Sequence, residues 1–443
     1  MKFSLISSNQ LLVLVLITII LMLSDLSHQK PNIINNNKPL NNHFKNLGLN
    51  LPGRHKLEFG KFENYRLKPT KLLGGRNTKK NNFIAPKNDT EIKAFLNYDL
   101  TKLDVQNSSQ IIPFYNNYKT LFNKTYKTKE EEIERVGIFK QTIVSINKHN
   151  ADDCSHYTQG INEMSDMKWP EIQKQKFGFK RPIARNKTKK IKFDKMLKSS
   201  NYDDNNIPLE WDWRKYGIVT PSINQGNCGS CWSFASASVL ESHLMKVQIY
   251  EGNFDPNNQL ILSQQNLIDC SREYGTEGCE GGSSKDAFEY VQSANQLNTY
   301  NTYPYTGIPN YCQFNNNMRI NVDIKEVNRI TTGADDELVS AIYRHGPVTV
   351  SFEANLNFMN YRSGIYEEPF CINNITHYMV AVGYTPEYFI VKNSWGENWG
   401  EGGFVRLSRS KINNCGISEQ DYYPVLANDV GTDQMRDKLK EIY

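Results

Sequence analysis

Gln225-Gly226-Asn227-Cys228-Gly229-Ser230-Cys231-Trp232-Ser233-Phe234-Ala235 decides how the rest of this 443-residue chain is read. Two cysteines, three positions apart, follow a glutamine in a glycine-rich loop. They precede a run with helical apolar spacing, Ala235/Val239 and Leu240/Leu244, that extends to about Lys246. The pattern places Cys231 where a loop becomes a helix. Unpaired backbone amides and the helix dipole favour negative charge there, which lowers a thiol pKa and makes the thiolate available. Gln225 offers a side-chain amide donor six residues upstream. With the Cys231 N–H it forms a cradle for the oxyanion that appears when a thiolate attacks a carbonyl. The stretch points to acyl transfer.

A thiolate needs a base, and the base needs an orienting partner. Only three histidines follow residue 200: His243, His345 and His377. His243 falls on the polar side of the expected helix, roughly three turns from Cys231. His345 precedes Gly346-Pro347 at a turn and reads as a surface residue. His377 lies in Thr376-His377-Tyr378-Met379-Val380-Ala381-Val382-Gly383-Tyr384, a strand expected to be buried beyond its first residues. Asn393 follows in Phe389-Ile390-Val391-Lys392-Asn393-Ser394-Trp395-Gly396, again at a strand end. A neutral amide there accepts from the imidazole and holds its tautomer.

This ordered set resembles the papain-like cysteine proteases, most closely the cathepsin L-type branch. His and Asn lie about 130–150 residues after the Cys-Gly-Ser-Cys-Trp signature in that family; here the separations are 146 and 162. Further matching stretches are Leu262 to Cys270, Gly278-Cys279-Glu280-Gly281-Gly282, Tyr303-Pro304-Tyr305, Asn393 to Gly403, and Cys415 through Pro424. The resemblance implies an α+β, papain-like two-lobed fold, a helical lobe plus a β-barrel-like lobe with the cleft between, preceded by a helical inhibitory prodomain. It implies an endopeptidase in which Cys231 attacks, His377 moves the proton, Asn393 orients the ring and Gln225 stabilises the oxyanion. Trp395 shields the His377–Asn393 bond. Gly281 and Gly282 match the strip that pairs with an extended substrate. Ser283, Ser284, Ile375 and Gln420 would line the pocket for the side chain two residues before the cut. That lining is more polar than is common in the family, and an apolar residue is still expected there. Disulfides Cys228–Cys279, Cys270–Cys312 and Cys371–Cys415 follow from the same resemblance, with Cys231 free and Cys154 unassigned. No cofactor or metal is implied.

Near the N-terminus, Lys2 precedes a 13-residue, largely apolar run, Leu11 to Leu23. It is short for a membrane span and suits a secretory signal over residues 1–28, the alternative being an uncleaved signal-anchor that tethers the chain to a membrane. Entry into the secretory pathway, where disulfides persist, is expected, with the lysosome, the vacuole or the cell exterior as destination. Residues 29–110 are rich in Asn and Lys and read as a low-complexity, solvated spacer. Sequons stand at Asn88, Asn107, Asn123 and Asn186, and another at Asn374 beside the proposed base.

From Glu131, the residues Glu131, Arg135, Phe139, Thr142, Ile146 and Asn150 share one helical face. The stripe resembles the long prodomain helix of cathepsin L-type zymogens. Gly160-x-Asn162-x-Met164-x-Asp166 resembles the second motif of that prodomain. By this resemblance residues 111–206 are an inhibitory propeptide that runs backwards through the cleft, and residues 207–443 are the peptidase. The first half of the peptidase, to about Asn316, should be mostly helical, and the second half should consist of short strands. The tail from Asn428 to Tyr443 has no counterpart.

Residues 207–443 carry a net charge of −11 and residues 1–206 one of +16. A basic propeptide on an acidic enzyme is electrostatically complementary at neutral pH, and protonation of carboxylates would loosen it. The basic excess lies in the part to be discarded, so it does not argue for nucleic acid as a partner. The expected partners are polypeptide substrates and the chain's own propeptide, with the mature enzyme monomeric. Two rival classes remain open at this stage. Cys-Gly-Ser-Cys also suits a redox dithiol or half a zinc site, and a homologue that has lost catalysis serves as a binding protein.

Overall fold

Cys231 is the first residue of a 21-residue helix in the computed structural model, which describes residues 89–182, 207–313, 319–432, 434, 435 and 438. The Leu11–Leu23 run, the spacer up to residue 88, the sequons at Asn88 and Asn186 and the expected boundary up to residue 206 lie outside the described residues. Among the described residues no helix is long and apolar enough to cross a membrane.

Order begins earlier than composition suggests. Helix α1 (Asp89–Leu96) and a 3₁₀ turn (Leu100–Lys102) fall inside the stretch that reads as spacer. Ile92, Phe95, Leu96, Leu100 and Leu103 are buried, and they share one cluster with residues of α2 (Ser108–Leu121) and α3 (Lys129–Asn150). The Lys and Asn around them stay on the wet side, so average composition hid an amphipathic pattern. Asn107, one of the sequon residues, caps α2 by accepting from the Ser109 N–H.

α3 buries Arg135, Phe139, Ile143 and Ile146. Its Arg135 guanidinium forks onto Glu171 and also meets Glu131 one turn back. Glu171 belongs to α4 (Trp169–Lys176). Asp166 accepts from the hydroxyls of Tyr115, Tyr118 and Tyr126. The motif residues therefore tie the propeptide helices together. Strand β1 (Tyr157–Gln159) pairs antiparallel with β7 (Tyr361–Tyr366) of the peptidase. Gly160 N–H donates to Asn360 and Asn162 Nδ2 to Met359 O. Tyr157, Met164 and Ile172 belong to the same buried cluster as the strands beneath them.

The peptidase has a helical part, α5 (Cys231–Glu251), α6 (Gln264–Cys270) and α7 (Ser284–Ala294), followed by a hairpin of β3 (Gln296–Asn298) and β4 (Arg319–Asn321). α5 is buried nearly all round because it lies between two apolar clusters, one on each side of the molecule. Gly252, at φ 75°, ends it. The second part is a nine-stranded sheet. Its path runs β1, β7, β10 (Phe404–Ser408), β9 (Tyr388–Lys392), β8 (His377–Tyr384), β6 (Val348–Phe352), β11 (Tyr422–Leu426), β5 (Ile324–Arg329). β2 (Trp211–Asp212) joins at β8, so the start of the peptidase crosses into the strand half. The pairing path has two ends and does not close into a barrel among the described residues. The strand half also carries α8 (Asp335–Arg344) and α9 (Leu356–Met359).

Three disulfides staple these parts: Cys228–Cys279, Cys270–Cys312 and Cys371–Cys415. Cys231 is free and buried, and Cys154 is free and exposed. The two other histidines differ from their sequence reading. His243 is fully buried, and its Nε2 lies 2.9 Å from Pro347 O. His345 is half-buried, stacks on Tyr423 and lies 3.3 Å from Asp429. Asp429 brings the C-terminal tail onto α5, where it meets the buried Lys246 ammonium at 2.7 Å.

Candidate active site

The cleft is built where α5 and β8 begin and β9 ends. Cys231 occupies the first turn of α5, and the N–H groups of Trp232 and Tyr378 both act on its sulfur. His377 is the first residue of β8 and is fully buried. Its Nε2 donates to Asn393 Oδ1 at 2.8 Å, and the Ser394 N–H donates to the same oxygen, which fixes that atom as the acceptor. Asn393 is held in turn: its N–H donates to Gly403 and its carbonyl accepts from Ser222 Oγ. The neighbouring Lys392 is anchored by Thr220 and Ser238. The Trp395 ring covers His377 at 4.9 Å. Only the other imidazole nitrogen, Nδ1, remains to exchange a proton with a reacting group.

Gln225 is oriented by Ser394, whose hydroxyl donates to Gln225 Oε1 at 2.7 Å. Its amide nitrogen donates to Cys228 O at 2.8 Å and to Lys176 O at 3.2 Å. Lys176 ends α4, in the segment expected to be the propeptide. The donor expected to hold an oxyanion therefore holds a propeptide carbonyl in this state, and the same carbonyl acts on the His377 ring. Residues 176–180 continue through the cleft. Gly178 N–H acts on the Cys231 sulfur, Gly178 O accepts from Gly282 N–H at 2.9 Å, and Lys180 N–H donates to Gly282 O at 2.9 Å. These bonds make Phe179 a parallel bridge partner of Gly282. The thiol thus has the Gly178 N–H directed at it. Two glycines permit the approach. A Cβ on Gly178 would lie 1.9 Å from Gly229 O, and one on Gly282 would lie 2.7 Å from the Trp232 ring.

Burial by this segment reverses the electrostatics expected from the helix start. The Cys231 thiol is pushed up to about 11, because loss of water outweighs the surrounding N–H groups. The same burial pushes His377 down to about 4, against the pull of Asn393 and the Lys176 carbonyl. Both members of the pair are held neutral at pH 7. Phe177 adds to this by packing its ring against His377 and Trp395. The Lys176 ammonium is buried beside the imidazole, and Glu163 neutralises it at 2.7 Å. Asn224 Nδ2 donates to the second Glu163 oxygen, so the pair is shared between propeptide and peptidase.

The structure places the remaining residues of the sequence reading as follows. Gly281 and Gly282 form the strip under Phe179. Ser283 caps α7 by accepting from Lys285 N–H, and Ser284 is buried behind it. Ile375 packs on Gly416, and Gln420 accepts from Tyr422 through Oε1. Sequence reasoning missed Lys176, Gly178, Ser394 and Tyr378. Ser394 was readable as a polar neighbour of Asn393. The other three carry no signal of their own: a lysine at a helix end, a glycine between aromatics, and an aromatic in a buried strand all read as ordinary structure.

The description "papain family cysteine protease" matches residues 207–425, and "cathepsin propeptide inhibitor domain (I29)" matches residues 115–172. A "Cathepsin L-like peptidase" of Aedes aegypti is 33% identical over 323 residues, 70% of this chain and 92% of its own length. "Thiol protease aleurain" of Arabidopsis thaliana is 36% identical over 314 residues, 69% of this chain and 82% of its own length. Among solved structures, the digestive procathepsin L2 proteinase from the Tenebrio molitor larval midgut superposes with a TM-score of 0.62. It is 31% identical and covers 71% of this chain and 100% of its own.

Proposed function

The chain belongs to the papain family of cysteine proteases and is a cathepsin L-type zymogen, a cysteine-type endopeptidase carrying its own inhibitory propeptide; we propose how its residues perform and restrain that activity. Cys231 is the nucleophile, His377 the base and acid, Asn393 the orienting partner, and Gln225 with the Cys231 N–H the oxyanion donors. Once residues 176–180 leave, water returns, and the helix start and nearby N–H groups favour a thiolate beside an imidazolium. The sulfur attacks the peptide carbonyl. As the tetrahedral species collapses, the C–N bond breaks, His377 gives its proton to the leaving amine and a thioester remains. His377 then takes a proton from water, hydroxide adds to the thioester, and the C–S bond breaks to release the acid.

The observation that carries this reading is the course of residues 176–180, which occupy Gln225, the Cys231 sulfur and Gly282. Gln225 is on Lys176 O, the Cys231 sulfur is under Gly178 N–H, and both Gly282 main-chain groups are paired. A dithiol oxidoreductase requires Cys228 and Cys231 to bond each other, whereas Cys228 is bonded to Cys279. The N-terminal apolar run and the three disulfides support passage through the secretory pathway to a lysosome, a vacuole or the outside. Activation at acid pH is part of the proposal. The test is mass spectrometry of the purified full-length chain held at about pH 4–5, wild type against Cys231→Ala, with a fluorogenic peptide present. Trimming to a terminus near Ile207 with peptide hydrolysis in the wild type alone is the expected result. Equal hydrolysis by Cys231→Ala overturns the assignment.

A further inference from the structure

The pocket beside the thiol has a floor that the sequence reading did not include. Phe179 is the residue opposite Gly282, and its ring rests on Tyr378 with centroids 5.2 Å apart and planes at 41°. When the propeptide leaves, the Gly282 N–H and C=O lose their partners together. A substrate that takes up those two main-chain bonds sets one side chain where Phe179 lies, whichever way its chain runs. That side chain meets the Tyr378 ring, which is fully buried in the closed state and follows directly after His377.

Behind the ring the environment is polar. Ser351, the strand partner of Tyr378, donates its N–H to Asp421 Oδ1 at 2.9 Å. Asp421 Oδ2 and Ser284 Oγ are buried without a hydrogen-bond partner among the described residues. The Tyr378 hydroxyl is buried near Ser283 without a hydrogen-bond partner among the described residues, and Asp421 and Asp286 both act on it electrostatically. An aromatic ring therefore stands between the substrate's side chain and a set of buried acidic and hydroxyl groups.

We propose that Tyr378 is the specificity-determining residue of this protease, closing the floor of the pocket for the side chain two residues before the scissile bond. An aromatic side chain packs on it in the tilted contact that Phe179 makes. A long cationic side chain is shut off from Asp421 and Ser284, which would otherwise receive it. The inference rests on the protease reading above and deepens it.

The experiment uses acid-matured enzyme, normalised by titration of the free thiol, and three peptide aminomethylcoumarins that differ only in Phe, Leu or Arg at that position. Wild type should prefer Phe over Arg by roughly tenfold or more in kcat/KM, the scale of an aromatic contact plus pocket fit. Tyr378→Phe should keep that order. Tyr378→Ala should lose roughly tenfold on Phe, mainly through KM, and gain on Arg. Wild-type preference for Arg or Leu over Phe overturns the proposal without any variant, which covers the case that Tyr378→Ala does not fold. An unchanged ranking in a Tyr378→Ala enzyme that titrates and cleaves overturns it too, while leaving the protease reading intact. Failure of the wild type to cleave any of the three overturns both.

Discussion

A methyl group at position 178 has nowhere to go. Its carbon would lie 1.9 Å from Gly229 O, backbone against backbone, so the segment must lift for any side chain to fit. Overpacking of this kind costs about 1–3 kcal/mol, or up to roughly a hundredfold in the fraction of open zymogen. Gly178→Ala should therefore let the unprocessed chain hydrolyse peptide at neutral pH, measured before any trimming; unchanged latency would count against the close approach. The catalytic residues were legible because their chemistry is: a thiol at a loop-to-helix junction, one eligible histidine, and an amide at the next strand end. Gly178, Lys176 and Tyr378 were not, because their roles come from what lies across the cleft and not from their own residue types.

Among the elements, the C-terminal tail is the one that the sequence left without a role. Lys246 of α5 is fully buried, and its counter-charge, Asp429, comes from the tail. Thr432 donates to the Tyr343 carbonyl, and Met435 is buried in the same cluster as α8 and the strands. Removing one partner of a buried pair strands the other, at a cost of about 3–5 kcal/mol. Asp429→Asn should lower the stability of the mature enzyme by that order in denaturant unfolding, and a change under about 1 kcal/mol would show that the pair is not a fastening. The Asp429 carboxyl is held well below its usual range by His345 and Lys246. A depressed carboxyl contributes stability that is present above its unfolded pKa and is lost only as pH falls through the folded value. The latch therefore survives the acidity at which the propeptide is expected to leave. α1 shows the opposite failure of reading: its apolar spacing was present, but Asn and Lys dominated the average around it.

For the whole molecule, the response to acid rests on a buried carboxylate of the cleft-blocking part. His377 is near 4 when closed, but on opening it becomes an imidazolium with the proton that Cys231 gives up, so the pair itself draws no net proton from solvent. Glu163 is depressed when closed, chiefly by Lys176 acting against the cost of burial. Its contribution to closure is present above the ordinary carboxylate range and is lost as pH falls through its lowered value. Maturation should accelerate as pH falls below about 4.5. Glu163→Gln should abolish that acceleration and weaken closure at neutral pH by about 1–3 kcal/mol, since Glu163 is partly exposed while Lys176 is not. A pH–rate curve identical to wild type would remove Glu163 from the mechanism. The opposite charges of the two parts of the chain anticipated the direction of this response. They did not locate it, because net charge says nothing about which carboxylate is buried against which ammonium.

The central claim is that residues 176–180 keep Cys231 a buried, neutral thiol until the propeptide leaves. The most direct measurement is the rate at which a small alkylating reagent labels Cys231 at pH 7, read by peptide mapping, in the full-length chain and again after acid maturation. The account predicts slow labelling before maturation, in keeping with a thiol near 11. It predicts labelling faster by a hundredfold or more afterwards, roughly the two pKa units or more that a thiolate beside an imidazolium gains. Equal rates before and after, or a Cys231 that resists label because it is bonded to Cys228, would contradict it.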